Sequence, residues 1–244
     1  MRVGRDARPP TIMRFHSYSS IYLRVGRPAR PPKQILMTNI PHDSIQYLEK
    51  KKFIHIWGKK LPHWFQEHKT VFVTFRLADS LPQEKIEELK ELKRRMVLYE
   101  SLSGNDEVHK EYNLEVARKI ERWIDLGHGS CVLANQEIRR MVADAILFQN
   151  EDKYVVYAFV VMPNHVHILM SPLTNTTVVD IIGKIKSFTP KKINKALHTT
   201  GKVWQNGIFD RIVRDANNFE QYMNYIHNNP RNLPKNSYTL YLRE

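Results

Sequence analysis

Three groups of residues in this 244-residue chain could do chemistry. The first is His165-Val166-His167. On a strand, residues i and i+2 share a face, so both imidazoles would project together while Val166 and Ile168 point into the opposite layer. Two adjacent imidazoles can chelate one divalent ion. With 11 histidines in the chain, roughly half an occurrence of this spacing is expected by chance, so two half-exposed strand histidines fit the letters as well. The second group is Tyr225 with Asn229. On a helical wheel with Phe219 at zero, Tyr222, Met223 and Ile226 fall within about 60° and form the core face. Tyr225 lies about 120° away, on the flank, with Asn229 one turn further on. A tyrosine at a cleft edge would offer a phenolic nucleophile beside a neutral oxygen ligand. An ordinary surface tyrosine ahead of the helix stop Asn228-Asn229-Pro230 would look the same.

The third group interleaves bases with aromatics: Lys184, Lys186, Phe188, Lys191, Lys192 and Lys195, then Lys202, Trp204, Gln205, Phe209, Arg211 and Arg214. Lysines hold phosphates, and Trp204 could stack on an unpaired base. Solvated lysines beside a core tryptophan give the same pattern. If a helix ran past Pro190, then Lys184, Lys191 and Lys195 would stripe one face, although proline opposes that continuation.

The wider composition narrows the field. The formal charge is +13, and it is unevenly placed. Residues 1–36 carry eight Lys/Arg against one acid, residues 184–244 eleven against four, and the span between them is near neutral. Basic ends on a neutral middle suggest a polyanionic partner met by particular surfaces. A single cysteine, Cys131, cannot form an internal disulfide and excludes a Cys-rich zinc module, which suits a reducing cytoplasm. The longest apolar run, Tyr154 to Met162, is under half a membrane span, and no secretory leader is visible. No glycine-rich phosphate loop is present. The N-terminus repeats itself, Arg2-Val3-Gly4-Arg5 through Pro10 returning as Arg24-Val25-Gly26-Arg27 through Pro32. Such Arg/Pro stretches lack an apolar period, so residues 1–36 read as disordered. They are either a loose basic arm or, the reading favoured here, upstream sequence ahead of a working start at Met37. Residues 37–244 then form a single domain with its core at about 70–230.

The elements that must position the three groups follow from periodicity. Thr70–Leu77 is β-branched and aromatic and reads as a strand. Leu81-Pro82 opens a charged helix to about Met96. Residues 99–150 look mainly helical. Lys153–Met162 is an apolar strand, and after Pro163-Asn164 a second strand runs from His165 to Met170. Thr177–Phe188 is an amphipathic helix, Lys202–Val213 a last strand, and Asn217–Asn228 a last helix. Strand, helix, strand, strand, helix, strand is the order of an α+β, ferredoxin-like split βαβ antiparallel sheet. It would carry a helical insertion at about 99–150 and an added C-terminal helix.

The segments Val160-Val161-Met162-Pro163-Asn164-His165-Val166-His167-Ile168-Leu169, Gly201-Lys202-Val203-Trp204-Gln205 with Phe209-Asp210-Arg211-Ile212-Val213-Arg214-Asp215, and Tyr225-Ile226-His227-Asn228-Asn229-Pro230, in this order and spacing, resemble the REP-associated tyrosine transposases. These are domesticated relatives of the IS200-like, single-tyrosine HUH transposases. The likeness runs from about Thr70 to Pro230. It implies an HUH endonuclease fold, with the C-terminal helix catalytic, acting on single-stranded or hairpin DNA such as REP-like palindromes. It makes His165 and His167 the metal-binding pair, Tyr225 the nucleophile, and Asn229 the third, polar ligand of Mg²⁺ or Mn²⁺. Lys184, Lys186, Lys191, Trp204, Arg211 and Arg214 are the candidate DNA contacts. The chain departs from its relatives after Pro230, where Arg231-Asn232-Leu233-Pro234 replaces a Val-Lys-Ala-Gly-like stretch.

Breaking a DNA strand while conserving its energy requires a covalent intermediate, here a 5′-phosphotyrosine with a free 3′-hydroxyl. Three other readings compete. A non-catalytic hairpin binder would have no chemical need for all of His165, His167, Tyr225 and Asn229. A two-metal carboxylate nuclease would want acids on strand ends, whereas 11 of the 25 acids here are gathered in the helical stretch between Glu84 and Asp125. A water-using hydrolase would need more ligands or a placed base and would leave no protein-linked product. The oligomeric state stays open, as monomer or homodimer.

Overall fold

The structure is a computed structural model that describes residues 45–49, 55–57, 63–103, 106–173 and 176–243. The Arg/Pro repeat lies outside the described residues. Two short strands, β1 (His55–Trp57) and β2 (His63–Phe65), pair antiparallel with each other. The central sheet is built from β3 (Val71–Arg76), β4 (Tyr154–Val161), β5 (His165–Pro172), β6 (Phe209–Ile212) and β7 (Thr239–Leu242), in the order β6-β3-β5-β4-β7. Every neighbouring pair is antiparallel. Strands β3, β4, β5 and β6 thus carry the expected split βαβ order, and the chain is α+β.

Three helices fill the connection from β3 to β4: α1 (Gln83–Ser103), α2 (Asp106–Asp125) and α3 (Gln136–Leu147). Helix α4 (Val178–Leu197) joins β5 to β6, and α5 (Ala216–Asn228) follows β6. Thr177 starts α4 with a capping box, its hydroxyl accepting from the Asp180 N–H while the Asp180 carboxylate accepts from the Thr177 N–H. Asp215 caps α5 by accepting the Asn218 N–H.

Alternation along the strands sorts the core onto two faces. Val71, Val73, Phe75, Val166, Ile168 and Met170 pack with Ile138, Val142 and Ile146 of α3 and with Ile181, Ile182, Ile185 and Ile193 of α4. The opposite face gathers Phe72, Leu169, Tyr157 and Val160 against Phe219, Met223 and Ile226 of α5. In β4 the register shifts between Val156 and Ala158. The bulge puts Tyr157 and Ala158 on the same side, after which Phe159 and Val161 resume the α3/α4 face.

Several boundaries differ from those the periodicity predicts. Helix α1 runs on to Ser103, beyond the expected end near Met96. Helix α4 continues through Pro190 to Leu197. The proline removes one ladder bond, but Ile185, Thr189 and Ile193 are buried on either side of it and hold both halves to the sheet. The last core strand covers only Phe209–Ile212 rather than Lys202–Val213. Gly201 and Gly207 both adopt positive φ, so the chain turns twice there, and Trp204 makes an isolated bridge to Leu77. Strand β7 is additional, and it settles the segment after Asn232 by pairing it with β4.

Its docking is helped by one buried cation. The Arg139 guanidinium, 4% exposed, donates to the Ala134 and Asn236 carbonyls at 2.7 and 2.8 Å and to Thr239 Oγ1 at 3.0 Å. Among the described residues, no helix is long and apolar enough to cross a membrane.

Candidate active site

The turn Met162–Asn164 hands the chain from β4 to β5, so His165 opens the new strand and His167 follows on the same face. Both are buried, at 1% and 0% exposure. Their Nε2 atoms lie 3.0 Å apart. Each ring is held from behind through Nδ1. His167 Nδ1 is 2.8 Å from the hydroxyl of Thr74, its cross-strand partner on β3. His165 Nδ1 is 2.7 Å from the Asn164 side-chain oxygen. Asn164 is itself buried, and its amide nitrogen donates to the Ile124 and His128 carbonyls at 3.0 Å each.

Helix α5 brings the phenol. Its buried face, Phe219, Met223 and Ile226, seats it on the sheet and turns Tyr225 toward the histidines. Tyr225 Oη is 3.4 Å from His167 Nε2, and the two rings meet edge-on at 5.1 Å. Phe72 steadies the cluster, stacking on Tyr222 at 4.4 Å and on His167 at 5.3 Å, with Tyr225 against its edge. Asn229, one turn after Tyr225, is near enough to Tyr225 and Asp125 to influence both, and its side-chain oxygen is buried without a partner. The three residues the resemblance names on β5 and α5 are therefore brought together, and Asn229 stands beside them.

A fourth group comes from α2. Asp125, the last residue of that helix, sets Oδ1 3.4 Å from His165 Nε2. Asp125, His165 and His167 each offer a ligand atom within 4.8 Å of the others. Glu121, one turn earlier, and Tyr222 of α5 both feel the charge of Arg211 on β6. Spacing alone does not reveal Asp125, because the contact spans 40 residues of chain. One local signal exists: a carboxylate at a helix C-terminus opposes the macrodipole and needs a reason to be there.

Burial governs the titrations. It pulls His165 down to about 3 and His167 well below its ordinary value, so both rings are neutral, with a lone pair free to bind. It pushes Tyr225 well up, and the carboxylates of Asp125 and Glu121 add to that push, against the influence of Asn229. Asp125 and Glu121 are raised as well, chiefly by the surrounding protein. The donor set suits a divalent cation. Two nitrogens 3.0 Å apart have the spacing of adjacent ligands around an ion with bonds of about 2.1 Å. The Asp125 carboxylate supplies a hard oxygen donor at the same point, and the unpartnered Asn229 oxygen is a second oxygen of that kind at the end of the helix that carries Tyr225.

The expected DNA contacts divide. Arg211 pairs with Phe72 across β6 and β3 and so stands on the face of the site. Arg214 is exposed just ahead of α5. Lys184 and Lys191 are exposed on α4, across the sheet from the histidines. Two residues have other employment. Trp204 is only 4% exposed, packs against Phe75, and donates its indole N–H to Thr189 Oγ1 at 2.8 Å, so its ring is not free to stack on a base. Lys186 donates to the Gln205 and Gly207 carbonyls and thereby braces the loop before β6 rather than pointing at solvent phosphate. Burial, together with nearby Lys202 and Arg76, draws its ammonium down to about 8.

Comparison with known proteins bears on the same region. Residues 132–229 match the family model described as "Transposase IS200 like". That stretch contains the histidine pair, Tyr225 and Asn229, whereas Thr74 and Asp125 precede it. Among solved structures, a REP-associated tyrosine transposase bound to a REP hairpin is 15% identical, over 71% of this chain and 73% of that one, with a TM-score of 0.40. A candidate transposase from Deinococcus radiodurans is 13% identical over 68% of this chain and 93% of that one, with a TM-score of 0.28. No curated protein matches.

Proposed function

From residues 132–229 as an IS200-like transposase domain, we propose that this protein cleaves and rejoins single-stranded or hairpin DNA by transesterification through Tyr225, assisted by Mg²⁺ or Mn²⁺. The observation that carries the reading is the meeting of two elements: Tyr225 Oη of α5 stands 3.4 Å from His167 Nε2 of β5.

His165, His167 and Asn229 would hold the cation, with Asp125 within reach of the same point. When bound, the ion polarises the phosphate and offsets the negative field of Asp125 and Glu121 around the phenol. Tyr225 Oη attacks the phosphorus in line as the P–O3′ bond breaks. The products are a 5′-phosphotyrosine and a 3′-hydroxyl, which takes up the proton the phenol gives up. Because one ester replaces another, the energy of the broken bond is kept for rejoining. The nearby Asn229 amide favours the charged form of the phenol. Phe72, itself stacked on Tyr222, restricts the swing of the ring. Arg211, opposite Phe72 in the sheet, is placed to meet a phosphate on this face, and Lys184 and Lys191 would meet DNA on the far side of the sheet. Such a substrate places the protein's work in the cytoplasm, on REP-like palindromes.

The test is incubation of the full chain with short single-stranded hairpin oligonucleotides and Mn²⁺. A protein–DNA adduct that survives denaturation is expected. Tight hairpin binding without an adduct would instead mark a non-catalytic binder, and a cleaved strand without an adduct would mark a water-using nuclease.

A further inference from the structure

Asn164 sits between two elements that each carry a group to the site. Its amide nitrogen has two hydrogens, and both are committed to carbonyl oxygens, those of Ile124 and His128. Carbonyls only accept, so the nitrogen end of this side chain is fixed by its neighbours. The oxygen end therefore faces His165 Nδ1 at 2.7 Å, and an oxygen there can only accept. His165 must carry its proton on Nδ1, which leaves Nε2 with its lone pair directed at His167 Nε2 and Asp125.

The same amide shapes the end of α2. The Ile124 carbonyl is one of the last of the helix, where intrahelical partners run out. It accepts from the Gly127 N–H as well as from Asn164. Gly127 and Gly129 take positive φ in the turn that follows. At Gly129 a Cβ would lie 2.5 Å from the Asp79 carbonyl oxygen, so the turn is also pressed against the β3–α1 connection. Asp125 lies between the anchored Ile124 and the anchored His128, and its carboxylate is thereby set toward His165.

We infer that Asn164 is a positioning residue that locks His165 in the tautomer able to bind a cation and, through the same side chain, seats the α2 turn so that Asp125 faces that cation. The proposal rests on the reading of His165 and His167 as a metal-binding pair. It adds to that reading a carboxylate and a tie that sit on opposite sides of a long connection. Asn164 touches neither substrate nor metal and acts through the two groups it holds.

Two variants separate its roles. Asn164→Ala removes both contacts. Asn164→Asp keeps an acceptor for the His165 Nδ1–H but cannot donate to Ile124 or His128. The readouts are the nitrogen shifts of ¹⁵N-labelled histidine side chains in the metal-free full chain near neutral pH, with His165 assigned from a His165→Gln spectrum, and Mn²⁺ affinity by titration calorimetry. Wild type is expected to show His165 protonated on Nδ1. Asn164→Ala is expected to lose that preference and to bind Mn²⁺ about 10- to 100-fold more weakly, the usual cost of losing an outer support. Asn164→Asp should keep the tautomer and lose only part of the affinity. Wild-type His165 protonated on Nε2, or an Asn164→Ala chain with unchanged tautomer and unchanged affinity, overturns the inference. Because the wild-type spectrum is read directly, an Asn164→Ala chain that fails to fold leaves the test intact. A wild-type chain that shows the tautomer and binds no Mn²⁺ overturns the metal reading instead.

Discussion

On one side of β5, Val166, Ile168 and Met170 meet α3 and α4; on the other, His165, His167 and Leu169 meet α5 and the end of α2. Both sides are closed to solvent, and the strand is buried along its whole length. The α3/α4 side uses that dryness for cohesion, through aliphatic packing whose few polar groups are satisfied, as in the Trp204–Thr189 hydrogen bond. The α5 side keeps polar atoms without obligatory partners: the facing Nε2 pair and the orphaned Asn229 oxygen. A dry environment that stabilises one face leaves the other in need of a ligand. Burial is thus the shared condition, and the pattern of hydrogen-bond satisfaction is what separates scaffold from site.

Substitutions on the two faces should therefore fail in different ways. The largest effect is expected from Tyr225→Phe, which should abolish the denaturation-resistant adduct while leaving hairpin affinity within about twofold, since a single hydroxyl is removed. Adduct formation by the variant would hand the nucleophile's role to another tyrosine, Tyr222 first. Next, His165→Ala should weaken Mn²⁺ binding by more than about 100-fold, beyond the cost of an outer support. Calorimetry that finds wild-type affinity would remove His165 from the ligand set. On the opposite face, Ile168→Ala should lower unfolding free energy by about 3 kcal/mol, the usual cost of a truncated core aliphatic. Its folded fraction should still bind Mn²⁺ normally, and a parallel loss of metal would mean that the faces are not separable. The smallest effect is expected from Trp204→Phe, about 1 kcal/mol of stability for the lost Thr189 hydrogen bond. Hairpin affinity should be unchanged, and a selective drop in it would restore Trp204 as a base-stacking residue.

How much of this could be read from letters depended on the range of the interaction. Strands β4 and β5 were legible because an apolar run, a Pro-Asn turn and an alternating run are local signals. The α5 wheel placed Phe219, Met223 and Ile226 inside and Tyr225 on the flank for the same reason. It put Tyr222 in the core, and the structure half-buries that ring against Phe72. Strand β7 was not legible, since four half-buried edge residues carry almost no periodic signal. The span of β6 is shorter than Lys202–Val213 because Gly207, at positive φ, turns the chain inside that stretch. Asp125 and Thr74 could not be found locally, as each reaches the histidines only after the sheet and α2 have come together. Trp204 and Lys186 show the opposite hazard, where residue types suited to DNA are spent on packing and on bracing a loop.

Arg139 has a practical corollary. Its guanidinium is a full positive charge in a buried setting with no carboxylate among its hydrogen-bond acceptors within the described residues, and two of those acceptors belong to residues 236 and 239. Trimming the polypeptide at residue 229, where the family match stops, would leave that cation half-solvated inside the protein and expose the outer edge of β4 to pairing with a neighbouring molecule. Expression of such a shortened form should give aggregates rather than a minimal folded domain. The segment 236–242 is better regarded as a latch than as an appendix.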